Sequence, residues 1–160
     1  KTLKFLFDKN LSEIKANENT NGISTRDIIG CNLDNSEFWT RILKDYKARQ
    51  VVFEVKNYEV NKAEEYRQCL SYATNQYGNI VFMITRNKSE ELKKETTSLN
   101  QVLSLWHEHK RMVVQIPAKF LIKLLDEKVR TGKGDRLLMS LLNLYERNYT
   151  AIKSNTSGQH

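Results

Sequence analysis

The chain has 160 residues, of which 39% are hydrophobic, and carries 26 Lys and Arg against 19 Asp and Glu, a formal charge of +7. That length supports about one domain with a real core, and the basic balance points to an anionic partner, nucleic acid or a membrane surface. Apolar runs no longer than four or five residues leave no room for a membrane span or a signal-peptide core, and two cysteines, Cys31 and Cys69, make no disulfide framework or paired zinc spacing and fit a reduced cytoplasmic setting.

In chain order, Leu3, Leu6, Phe7, Leu11 and Ile14 recur at helical spacing, so residues 2–16 are expected to form an amphipathic helix, ended by the turn formers of "NENTNG". "ISTRDIIGCN" reads as a short strand running into Gly30. "DNSEFWTRILKDYKA" offers Asn35 or Ser36 as an N-cap, then Phe38, Trp39, Ile42, Leu43 and Tyr46 on one helical face. A strand over 51–57 precedes a helix over 62–76 with a Tyr66, Leu70, Ala73 stripe, and Gly78 closes it. "NIVFMITR" has the continuous apolar character of a strand covered on both faces. A helix over 89–108, a strand "RMVVQIP" stopped by Pro117 and two Leu-rich helices, 118–129 and 135–149, complete the reading. This alternation predicts an α/β fold with a central sheet of about four strands flanked by helices, one domain over 1–150 and a flexible tail over 151–160. The Leu-rich helices are read as core or as an oligomer surface.

The chemistry concentrates in "VVFEVKNYE". Glu54 and Lys56 share one face of that strand while Phe53 and Val55 share the other. Asp/Glu-x-Lys occurs six times in the chain, and only at Glu54 does it lie in an apolar β-branched run. An ordinary ion pair is the plain reading of such a pair, which contributes about 0 to 1 kcal/mol when exposed. A charged pair near the end of a core strand is also where an α/β sheet keeps its ligands. Asp27 starts another strand 27 positions earlier, and two carboxylates brought together repel unless a hard cation such as Mg²⁺ lies between them. Gln68 and Tyr72, four apart on a helix, share a face and offer a contact to phosphate or a base edge. Arg86, with Lys88, ends the next strand and suits an anionic backbone.

Asp27, then Glu54-x-Lys56 in "VVFEVKN", then Gln68-x-x-x-Tyr72, in that order, resembles the PD-(D/E)XK, restriction-endonuclease-like nuclease superfamily, with a Gln-x-x-x-Tyr element similar to that of RecB-type nucleases. The resemblance covers roughly residues 10–116. It departs in having Arg26 where the family often has proline, and in a helix between the Asp strand and the Glu-x-Lys strand where many members have a hairpin. Asp34 is the substitute candidate for Asp27. The resemblance implies a restriction-endonuclease-like core with a mixed sheet, and Mg²⁺ or Mn²⁺ held by Asp27, Glu54 and the Val55 carbonyl. It implies Lys56 orienting or helping to deprotonate a water, Gln68, Tyr72 and Arg86 positioning the nucleic-acid strand, and hydrolysis that leaves a 5′-phosphate. DNA stands ahead of RNA as substrate, and the domain would be the effector of a larger restriction, repair or anti-phage defence protein. A non-catalytic nucleic-acid-binding module of the same fold and a regulatory interaction domain remain the alternatives. Glu13 is an extra acidic candidate on the first helix, better read as a solvated face. "HEH" at 107–109 diverges on a helix and makes a poor zinc site, and "GKGD" at 132–135 is too short for a phosphate loop.

Overall fold

The computed structural model describes residues 1–16, 27–56, 63–73, 77–86, 103–104 and 106–151. Five strands, β1 (Leu11–Ala16), β2 (Ile28–Asn32), β3 (Gln50–Val55), β4 (Ile80–Thr85) and β5 (Met112–Pro117), form one sheet in chain order. β1, β2 and β3 pair antiparallel in turn, and β4 and β5 add on parallel. The helices are α1 (Thr2–Phe7), α2 (Glu37–Tyr46), α3 (Ala63–Tyr72), α4 (Ala118–Thr131) and α5 (Asp135–Ala151), with residues 103–104 and 106–109 also helical. The α/β class and the mixed, helix-flanked sheet stand as expected, with five strands where about four were anticipated. Most of the expected 89–108 helix and the 152–160 tail lie outside the described residues.

The fifth strand is a correction. Residues 2–16 are not one helix: α1 stops at Phe7 and the chain enters β1 at Leu11. Leu11 and Ile14 are both buried, three apart, because β1 carries a bulge between Ser12 and Lys15 with Glu13 at φ 51°. One extra residue shifts a period of two into a spacing of three, which imitates a helix in the sequence. Opposite the bulge, Gly30 leaves the room: a Cβ there would lie 3.2 Å from Leu11 and Ile14 side-chain atoms.

The sheet has two differently filled faces. On one, Phe53 stacks between Phe7 (5.4 Å) and Phe82 (5.5 Å), with Trp39 of α2 edge-on to Phe7 and Phe38 edge-on to Trp39. α2 begins at Ser36, in an extended conformation, and ends on Lys47 in the left-handed region, whose neighbour Ala48 donates to Ile42 O. The N-cap position falls on Ser36, whose side chain makes no capping hydrogen bond. α3 lies on the other face, where Tyr66, Cys69 and Ala73 are buried and Cys69 Sγ approaches Met83 Sδ at 3.7 Å. Glu64 and Glu65 in its first turn suit the positive end of the helix. Burial pushes the Cys69 thiol up to about 12, with Lys56 opposing the shift, so this cysteine is an inert core group.

α5 is tied back to α2. Arg41 donates to Asn143 Oδ1 at 2.7 Å and pairs with Glu146, and Tyr46 donates to Glu146 Oε1 at 2.8 Å. Burial, and then that acidic partner, push the Tyr46 hydroxyl well above its usual range, which keeps it a donor.

Candidate active site

The site forms on the α3 side of the sheet, at the C-terminal end of β3. β2 and β3 pair with Ile28 opposite Phe53. Asp27 immediately precedes the paired part of β2 and Glu54 immediately follows Phe53, so both fall at the same end of the β2 to β3 pairing. α2 separates these strands in sequence, yet they lie side by side in the sheet. Lys56 follows two residues after Glu54, and its backbone N–H donates to Ile84 O at 2.8 Å, extending the β3 to β4 pairing past the end of the strand.

All three charged side chains are buried: Glu54 is 2% exposed, Asp27 5% and Lys56 8%. Such burial is rare for these residue types unless they are paired. Lys56 Nζ contacts Glu54 Oε1 and donates to Gln68 Oε1 at 2.6 Å. Two of the three ammonium hydrogens are thereby engaged. Tyr72 donates its hydroxyl to Asp27 Oδ2. Burial first, and then the Asp27 carboxylate, push the Tyr72 hydroxyl well above its usual range, so it stays protonated as a donor.

α3 thus supplies one side chain to each half of the site. The four-residue spacing of Gln68 and Tyr72 sends one to Lys56 and the other to Asp27. Both side chains, expected to offer contacts to phosphate or a base edge, are hydrogen-bonded to the charged residues of the sheet. Glu54 Oε2 is buried and has no hydrogen-bond partner among the described residues.

The remaining candidates sort by position. Val55 is half-buried on the opposite face, so only its backbone can serve here. Arg86 is exposed immediately after β4. Asp34 is exposed in a turn at φ 52°, its N–H bonded to Asn32 Oδ1, beyond the far end of β2 from Asp27. Glu13 is not on a helix: it sits at the β1 bulge, exposed and paired with Lys15 at 3.4 Å.

Two residues on this face escaped the sequence reading. Thr85, which ends β4, is buried with its hydroxyl unpartnered, and Gln115 of β5 is buried with its amide bonded to Tyr66. Thr85 is the one hydroxyl in the otherwise apolar run "IVFMIT", and that was the available signal. From Asp27 the same face of β2 continues through Ile29 and Cys31 into an open depression of about 260 Å³, which Gln50 and Lys15 also line.

Among the described residues no three His, Cys, Asp or Glu side chains gather as a metal cage. A Mg²⁺ ion needs only one or two carboxylates when water and phosphate oxygens complete its shell. Asp27 and Glu54, at the same end of the β2 to β3 pairing and with Glu54 Oε2 unpartnered, are the two carboxylates this part of the sheet offers.

No protein-family model matches the chain, and no solved structure matches it. The chain is 43% identical over 156 residues to a protein of Escherichia coli (strain K12) named "Putative transposon gamma-delta 80.3 kDa protein". The alignment takes in 95% of this chain and 22% of that relative, so the chain spans about a fifth of the relative's length.

Proposed function

We propose that this chain is a metal-dependent nuclease domain that hydrolyses phosphodiester bonds, with DNA as its substrate. The observation that carries the reading is the gathering of Asp27, Glu54 and Lys56, all buried, with one Glu54 oxygen left unpartnered. An unsatisfied buried polar group costs about 1 to 3 kcal/mol. A carboxylate that served only as half of an ion pair has no reason to keep its second oxygen bare. The helix-flanked mixed sheet agrees with the coarse architecture that the family resemblance implies. The relative's name refers to a transposon, a DNA element, and this favours DNA over RNA. Its greater length suits a domain that works within a larger protein.

Asp27, Glu54 and the Val55 carbonyl would hold Mg²⁺ or Mn²⁺. When bound, the ion polarises the scissile phosphate and acidifies a water. Lys56 fixes Glu54 through Oε1, and its remaining N–H offsets charge as it builds on the phosphate oxygens. Gln68 locks that ammonium in place, and Tyr72 locks Asp27. Arg86 attracts the nucleic-acid backbone. Water oxygen loses a proton and bonds to phosphorus, the bond to the leaving 3′ oxygen breaks, that oxygen takes up a proton as a 3′-hydroxyl, and a 5′-phosphate remains.

The direct Lys56 to Glu54 contact also suits a structural ion pair in a binding module without catalysis. One experiment separates the readings. The 160-residue chain is incubated with plasmid and with RNA, in Mg²⁺, in Mn²⁺ and in EDTA, beside Glu54→Ala and Lys56→Ala. Cleavage that needs metal and disappears in both variants supports the nuclease. Binding without cleavage by a well-folded parent chain sinks it in favour of the binding module.

A further inference from the structure

Four buried side-chain polar atoms lack a hydrogen-bond partner among the described residues. Two of them, Ser36 Oγ and Trp39 Nε1, belong to the start of α2. The other two, Glu54 Oε2 and Thr85 Oγ1, lie on adjacent strands. Glu54 pairs in register with Met83, and Thr85 is two residues further along β4, so both side chains leave the same face of the sheet. The Lys56 N–H to Ile84 O bond carries the register on and sets Thr85 beside Lys56. At 2% exposure the Thr85 hydroxyl has no bulk solvent to satisfy it. Valine has the same shape without that cost. An orphan acceptor and an orphan hydroxyl beside one buried ammonium describe two arms of a single polar site.

We infer that Thr85 is a positioning residue, and that Thr85 Oγ1 and Glu54 Oε2 together hold one water. The water accepts a hydrogen from Thr85 and donates one to Glu54, which leaves it a lone pair. A carboxylate oxygen has lone-pair capacity for a cation and a water at once. Lys56 sets the direction of Oε2 by holding Oε1, so the three side chains aim the water from two strands. The water's role as the attacking group rests on the nuclease reading above, whereas its place between the two side chains does not.

The test uses Thr85→Val and Thr85→Ser in the 160-residue chain. In plasmid cleavage, Thr85→Val is expected to lower kcat about tenfold with KM within about twofold of the parent, and Thr85→Ser to restore most of the rate. A merely structural threonine would not give that split and rescue. A high-resolution crystal structure of the parent chain is expected to show a water within hydrogen-bond reach of both atoms, and the Thr85→Val structure to lack it. Parental kcat in Thr85→Val, or a Thr85 hydroxyl bonded to a main-chain carbonyl with no shared water, overturns the inference. If the parent chain cleaves no nucleic acid, the nuclease reading falls, and the crystal structures still decide whether the two side chains share a water.

Discussion

Tyr72 donates its hydroxyl to Asp27 Oδ2, so a helix on one face of the sheet holds the carboxylate that leads into β2. The consequence is that α3 and the start of β2 are ordered together. Tyr72→Phe keeps the ring and removes the donor. It is expected to cost about 1 to 3 kcal/mol in urea denaturation, the range for a hydrogen bond to a charged group and the partner it leaves behind. Cleavage should fall as well, because Asp27 loses its fixed direction. A variant with unchanged stability and unchanged rate would show that the hydroxyl does not hold Asp27 in solution.

The Glu54 and Lys56 pair gives a second prediction, in which stability and activity move apart. Glu54→Ala leaves a buried ammonium with Gln68 alone and is expected to destabilise by about 3 to 5 kcal/mol. The double replacement Glu54→Leu with Lys56→Met removes both charges, and it is expected to match the parent or exceed it by up to about 4 kcal/mol while cleaving nothing. Denaturation midpoints and plasmid cleavage on the same preparations check both halves. A double variant as unstable as Glu54→Ala would mean that the pair is held for structure.

Backbone space at two glycines is a third test. Gly30→Val places atoms against Leu11 and Ile14 opposite the β1 bulge, where a Cβ alone already lies at 3.2 Å. Overpacking of this kind costs about 1 to 3 kcal/mol. Gly78→Ala is expected to be worse. Gly78 sits at φ +93°, and a Cβ there would come within 2.6 Å of the Ala48 Cα, which is backbone and cannot swing away. The left-handed conformation alone costs about 1 to 3 kcal/mol, so loss of soluble protein on expression is the expected outcome.

Asp8 and Lys128 supply the pH dependence. Lys128 is buried and donates to Asp8 at 2.8 Å, and this bond is the main reason the Asp8 carboxyl is held below its ordinary range. A carboxyl more acidic in the folded state stabilises the fold above its unfolded value and loses that effect as pH falls through the folded one. The melting temperature of Asp8→Asn should therefore lie below the parent's at about pH 6, with the gap closing towards about pH 2. A gap that stays constant with pH would deny the ion pair its part in folding.

The sheet core was readable from sequence because β3, β4 and β5 are apolar runs whose residues are covered on both sides. The charged part was readable for the opposite reason, since Glu54 and Lys56 break such a run. β1 was not readable. Its bulge at Glu13 puts Leu11 and Ile14 three apart, and a helix explains that spacing equally well in the absence of the partner strand. Thr85 carries only a weak signal in the sequence, because a lone hydroxyl in a strand means little until its neighbour across the ladder is known to be Lys56. The directions of Gln68 and Tyr72 depend on how α3 lies across the sheet, and no local pattern carries that information.

Tyr145 of α5 has a use beyond packing. Its hydroxyl accepts the backbone N–H of Gln115 at 2.9 Å, on the side of β5 that faces away from β4. β5 ends the sheet among the described residues, and a free N–H on a terminal strand is where another chain adds itself. With that donor taken and α5 held to α2 through Arg41, β5 is closed to strand addition at Gln115. A strand adding itself at this point of β5 would first have to displace the Tyr145 hydroxyl.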